Sequence, residues 1–175
     1  MTELSTIPVV MTFAGSDPSG GAGLQADIET LASMGCHASP IITAVTVQDT
    51  RQLFRFQAMD ASLVVEQARA VLEDIPIAAF KLGMLGSVEN GEAVHTMLME
   101  YPDTPVVLDP LITAGGGGKL ADDELIDAMV NLLFPLATVL TPNSEEARAF
   151  APEGDNLDAC AQELLDLGSE YILIT

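Results

Sequence analysis

Four segments carry residues able to do chemistry, and each directly follows an apolar run: "AGSDPSGGAGLQAD" (14–27), "GMLGS" (83–87), "DPLITAGGGG" (109–118) and "TPNSEEA" (141–147). The first has glycines at positions 15, 20, 21 and 23. Such residues let a backbone approach a ligand closely and turn where a side chain would clash. Asp27, in the helical pattern that follows, offers an acceptor for a polar ligand; a carboxylate favourably placed near a helix N-terminus is the plain alternative. The glycine spacing is not that of a dinucleotide-binding loop, and the segment lacks the lysine of a P-loop.

Asp109 ends an apolar run before Pro110 and four glycines. A carboxylate there can hold Mg²⁺ or organise phosphates, although Asp before Pro also opens turns. Asn143 and Glu146, three apart at a helix start, can share a metal or water network, but their spacing favours a helix cap. Gln48, in "TAVTVQDT", carries amide donors and an acceptor suited to a heterocycle edge; a surface glutamine is the commoner case. Lys81 lies in an apolar run and is expected to pair with a carboxylate for structural reasons. His37 and His95 have no nucleophile or metal-ligand partner at diagnostic spacing.

These segments need elements to position them. "VVMTFA" reads as a buried strand, and Leu24, Ile28 and Leu31 recur at helical spacing before Gly35, which is placed as a C-terminal cap. "ASPIITA" and "LFRFQAM" are short β-prone runs around a polar loop. Asp60 is the expected N-cap of a helix carrying Leu63, Val64, Gln67, Ala68, Val71 and Leu72. Then come the strand "IAAFKLGM", a helix with Val94, Met97, Leu98 and Tyr101 on one side, the strand "PVVLD", and a helix with Leu125, Ile126, Met129, Leu132 and Leu133. "ATVL", a helix start at "TPNSEEA", a helix over 157–167 and the strand "YILIT" complete the pattern.

Apolar strands alternating with amphipathic helices predict a mostly parallel α/β sheet covered on both faces. Loops after parallel strands converge on one rim, so the four segments are expected to form one cleft. The chain's 175 residues fit a single domain, 1–175, that is 49% apolar. It stops at Thr175, inside or just after an apolar strand, so the loop after that strand is absent.

The formal net charge is −20, from six Lys plus Arg against 26 Asp plus Glu. Such a chain repels a phosphate backbone, which argues against nucleic acid as a partner. A bound phosphate must then rely on backbone N–H groups, helix N-termini or a metal ion. No apolar run approaches the roughly 18 residues of a membrane span. The start "MTELSTIPVV" has no basic region before its short apolar segment, so a cytoplasmic protein is expected. Cys36 and Cys160 lack metal-ligand spacing and are expected to be reduced.

Taken in order, "AGSDPSGGAGLQAD", "ITAVTVQDT", "KLGMLGS", "VVLDP" and "LTPNSEEA" resemble the hydroxymethylpyrimidine/phosphomethylpyrimidine kinases of thiamine biosynthesis. The resemblance covers nearly the whole chain. It implies a ribokinase-like fold with a small lid of short strands, and transfer of the γ-phosphoryl group of ATP, with Mg²⁺, to a pyrimidine and then to its monophosphate. By position, Gly15, Asp27, Gln48 and Met84 are implied to line the pyrimidine site. Asp27 bonds the ring's amino side, Gln48 bonds another edge, and Met84 packs on the ring. Asp109, Asn143 and Glu146 fall near Mg²⁺ and the nucleotide phosphates, with Asp109 and Glu146 as the metal-site carboxylates. The lid strands imply a homodimer.

Relatives continue after the strand matching "YILIT" with the anion hole, the catalytic residue and much of the adenine site, so the catalytic residue is expected beyond Thr175 and the domain is incomplete at its C-terminus. "TAGGGGK" also departs from the family's residues after Asp-Pro. A pyridoxal kinase of the same fold, or a pyrimidine-binding short form without phosphoryl transfer, are the alternative readings.

Overall fold

A computed structural model describes residues 7–175. The sequence reading of the N-terminus rests partly on residues 1–6, which lie outside the described residues.

β1 (Val9–Ser16), β2 (His37–Gln48), β3 (Leu53–Ala58), β4 (Ala79–Leu82), β5 (Val106–Leu108), β6 (Val139–Leu140) and β7 (Tyr171–Ile172) form one sheet in the order β3-β2-β1-β4-β5-β6-β7. Only the β2–β3 pair is antiparallel. From β1 the chain steps outward to β2, whereas from β4 onward it steps the other way. Right-handed crossovers therefore put the connecting helices of the two halves on opposite faces.

α1 (Gly23–Ser33) packs on β1 and β2. α2 (Ala61–Leu72), α3 (Val88–Leu98), α4 (Asp123–Ala128), α5 (Ser144–Phe150) and α6 (Leu157–Asp166) contribute buried residues to the other side. There Met11, Phe13, Phe80, Leu82, Leu108 and Leu140 meet Val64, Val94, Met97, Leu133, Phe134 and Leu164. Both faces carry helices, as expected, but unequally: toward β7 the face shared with α1 leaves Tyr171 64% and Leu173 58% exposed.

Several elements differ in detail from the expectation. "ASPIITA" is not a short run but the first half of a 12-residue strand, so the lid is the far end of β2 paired with β3 and continuous with the main sheet. Asp60 holds the N-cap position of α2, yet its side chain makes no capping bond. The helix expected around Leu125–Leu133 divides into α4, a π-helical turn over Met129–Leu133 and a 3-10 turn over Phe134–Leu136. Pro135 in the last turn has no N–H to continue the helical ladder. Gly35 does cap α1: it has φ +78°, its N–H donates to Ala32 and the next N–H, of Cys36, donates to Leu31, the paired bonds of a Schellman ending. The two cysteines are free thiols.

Candidate functional site

The change of direction between β1 and β4 leaves a crevice beyond their carboxyl ends, the place where open α/β sheets bind ligands. Here it is a cavity of about 700 Å³. The loops after β1, β2, β4 and β5 all contribute to its wall.

The glycine loop is held by Asp17. Its Oδ1 accepts from the Ser19 N–H (2.7 Å) and hydroxyl (2.8 Å), and its Oδ2 from the N–H groups of Gly21 (3.0 Å) and Ala22 (2.9 Å). Ala22, the N-cap of α1, has no side chain able to cap, and Asp17 instead pins the two residues that lead into the helix, through the N–H groups of Gly21 and Ala22. Burial alone would raise the Asp17 carboxyl; the bonds from Ser19 and Ala22, with a contribution from the Gln48 amide, outweigh it and hold the group below the usual carboxylate range. Asp17 is 3% exposed. Sequence reasoning passed over it, because an Asp before Pro18 looks like any turn opener.

Gly15 abuts Met84: a Cβ on Gly15 would lie 3.1 Å from the Met84 sulfur. Met84 is placed by two residues that carried no signal in the sequence. The Thr43 hydroxyl donates to the Met84 carbonyl, and the Asn90 amide donates to the carbonyls of Leu85 (2.8 Å) and Thr43 (3.2 Å). Gln48 closes β2 at the mouth of the hairpin, whose turn is fixed by Asp49 Oδ1 accepting from the N–H groups of Arg51 (2.8 Å) and Gln52 (2.9 Å). The four-glycine segment crosses over this turn. A Cβ on Gly116 would sit 2.4 Å from the Arg51 carbonyl oxygen, so the two loops meet backbone to backbone at the cavity wall.

Asp27 lies in the second turn of α1 and caps nothing; its Oδ1 is 3.0 Å from Lys81 Nζ. Asp109, after β5, lines the cavity with no hydrogen bond to its carboxylate among the described residues. Burial pushes this carboxyl up to about 6; Lys81 opposes the shift, while Glu146 and Asp27 add to it.

Gly15, Asp27, Gln48, Met84 and Asp109 therefore share one cavity. Asn143 and Glu146 are not in its wall. They form a capping box: Asn143 Oδ1 accepts from the N–H groups of Glu145 and Glu146, and Glu146 Oε2 accepts from the Asn143 N–H at 2.9 Å. Glu146 is 3% exposed, and its Oε1 accepts from the Ile112 N–H at 3.3 Å, bracing the segment that follows Asp109.

Among the described residues no three His, Cys, Asp or Glu side chains converge as a metal cage. Mg²⁺, however, is commonly held by one or two carboxylates together with phosphates and water. Asp109, unbonded and facing the cavity, fits that pattern. Glu146, with both oxygens already bonded to backbone, fits only as an outer contact.

The phosphomethylpyrimidine kinase family matches residues 17–175. The hydroxymethylpyrimidine/phosphomethylpyrimidine kinase of Mycobacterium leprae is 39% identical over 170 residues, covering 94% of this chain; the chain spans 61% of that relative's length. Among solved structures, phosphomethylpyrimidine kinase from Clostridium difficile 630 superposes with a TM-score of 0.87 at 34% identity, over 95% of this chain and 74% of that one. Staphylococcus aureus pyridoxal kinase in complex with pyridoxal gives a TM-score of 0.85 at 28% identity, over 97% and 64%.

Proposed function

The chain belongs to the phosphomethylpyrimidine kinase family, and from that premise we propose that it serves the ATP-dependent phosphorylation of 4-amino-5-hydroxymethyl-2-methylpyrimidine and of its monophosphate in thiamine biosynthesis. The observation that carries this reading is the convergence of Gly15, Asp27, Gln48 and Met84 on one cavity at the turning point of the sheet.

In this reading Gly15 and Met84 form the apolar floor for the ring, and their close packing sets its depth. Asp27 accepts from the amino side and Gln48 bonds a second edge. Asp109 would hold Mg²⁺, which supplies neutralisation of phosphate charge when bound. Glu146 and Asn143 serve that end indirectly, by fixing the segment after Asp109 through the Ile112 N–H. The scarcity of cations elsewhere leaves phosphate recognition to backbone N–H groups and metal.

A cytoplasmic setting is part of the proposal; among the described residues no helix is long and apolar enough to cross a membrane. The charge of −20 argues against nucleic acid. Val45, Val47 and Phe54 are exposed on the β2–β3 hairpin, which supports pairing of two copies there.

Calorimetric titration tests the reading. The aminopyrimidine should bind more tightly than pyridoxal, and Gln48→Ala should weaken it about ten- to a hundredfold, the effect of unpairing one buried hydrogen bond. Tighter binding of pyridoxal would favour the second reading, a pyridoxal-type kinase, which the similarity to the S. aureus enzyme supports. Unchanged affinity in Gln48→Ala would remove that residue from the site.

A further inference from the structure

Lys81 stands out on its strand. Phe80 and Leu82, its neighbours on β4, are fully buried on the face covered by α2–α6, while Lys81 points to the face that carries α1 and lines the cavity. Its register partners there are Thr12 on β1 and Val107 on β5. An ammonium group held half-buried among such neighbours is unfavourable unless paired.

The pairing is specific. Lys81 Nζ is 3.0 Å from Asp27 Oδ1 and 3.3 Å from Oδ2, so one ammonium bridges both oxygens of the carboxylate. Contact with both oxygens ties the carboxylate to one place in the cavity wall. Two residues on, Gly83 has ordinary backbone angles, yet a Cβ there would lie 2.7 Å from Lys81 Nζ. Glycine at 83 leaves the ammonium undisturbed, whereas a methyl there would push the flexible lysine tip aside. A buried ion pair is by itself weak evidence for stability, since apolar residues of similar volume often do as well. A pair set in the cavity wall, with space kept for it by a third residue, has a better explanation in what it presents to a ligand.

We propose that Lys81 is a positioning residue: paired with Asp27 in the cavity wall, it holds that carboxylate where it can accept from the exocyclic amino group of the bound pyrimidine, and Gly83 leaves the ammonium room to sit there. The inference rests on the pyrimidine reading above. It assigns to Lys81 and Gly83 a role in selecting ligands that carry an amino donor.

Two ligands separate this role from general support of the fold: the 4-amino-5-hydroxymethyl-2-methylpyrimidine, and the same compound with hydrogen in place of the 4-amino group. Lys81→Met should weaken the amino compound about tenfold or more, the scale of a lost charge-assisted bond. The analogue without the amino group should change by less than about threefold, because it makes no bond to Asp27.

Gly83→Ala provides the second variant in case Lys81→Met does not fold. It keeps the charge but crowds the ammonium, and because the lysine tip shifts at little cost it should show a smaller loss with the same ligand selectivity. Equal losses for both ligands, or no loss in a folded variant, would overturn the role of Lys81. If the parent chain binds neither pyrimidine, the pyrimidine reading itself fails and takes this inference with it. If the parent binds and the variants bind alike, only the inference fails.

Discussion

Asp17 and Asp109 are two carboxylates of one cavity in opposite electrostatic situations. Both feel burial, which favours the neutral acid; at Asp17 donors from Ser19 and Ala22 overcome it, and at Asp109 no donor does. The consequences for stability have opposite signs. Asp109 has a folded-state value of about 6 against 3.8 in an unfolded chain, so between those values the folded protein holds the proton more firmly. Its contribution is most favourable below this window, is lost as pH rises through it, and is constant above. Asp109→Asn should therefore melt above the parent at pH 7, by a margin on the order of 1–2 kcal/mol once solvent screening is discounted, and the margin should close toward pH 4. Asp17 lies below its unfolded value, so its stabilisation is present at neutral pH and lost as pH falls through the folded value. Asp17→Asn should destabilise at pH 7 and matter less in acid. Melting curves of the three proteins across this range test both signs; an Asp109→Asn margin that did not change with pH would show that burial does not control this carboxyl.

The entry to α1 shows how an element can depend on a single missing side chain. Gly23 has φ +57°, and a Cβ there would be 2.2 Å from the Gly15 carbonyl oxygen. Gly20 also has positive φ, +80°, but nothing lies within 4 Å of its would-be Cβ. Gly20→Ala should cost about 1–2 kcal/mol, the left-handed penalty alone. Gly23→Ala should cost about 3 kcal/mol or more, because backbone must also move. Denaturant midpoints for the two variants measure the difference, and equal losses would mean that the helix start is not packed against β1 as described. In the sequence these two glycines look alike, since spacing records neither φ nor what lies opposite. The order of strands and helices was legible because periods of 2 and 3.6 dominate each run, and Gly35 because a glycine after a periodic helix has one common use. The far half of β2 was not: Val45 and Val47 do alternate with Thr46 and Gln48, but the pattern is only four residues long and merges with the polar turn that follows at 49–52. Five of the seven candidate site residues meet in the cavity, Gly15 and Met84 as the family resemblance implied, and Asp27, Gln48 and Asp109 also on the ground that loops after parallel strands share a rim. Asn143 and Glu146 escaped that logic, since their side chains are consumed in closing the first turn of α5.

On the scale of the whole molecule, the sheet is divided by its own topology. Stepping outward from β1 in one direction and from β4 in the other separates α1 from the remaining helices, and the crevice between the two halves becomes the cavity. Around it the charge is one-sided. Three ion pairs form among the described residues, Arg69–Glu100, Lys119–Asp123 and the pair of Asp27 with Lys81, and the first two are exposed. Exposed pairs contribute little and are weakened further by salt, whereas a net charge of −20 repels itself throughout the compact state and is relieved on unfolding. Salt therefore acts on a small attraction and a larger repulsion, and the repulsion decides the sign. Raising NaCl from about 0.01 to 0.5 M shortens the screening length from roughly 30 Å to only a few Å. The melting temperature should rise by about 3 °C or more, corresponding to about 1 kcal/mol for a domain of this size. Sodium chloride is the salt of choice because sulfate would also strengthen apolar burial and blur the cause. The rise should level off once the screening length falls below the spacing of neighbouring carboxylates. A flat or falling melting temperature over this range would show that the acidic groups are already balanced locally, and that the charge excess carries no cost for the fold.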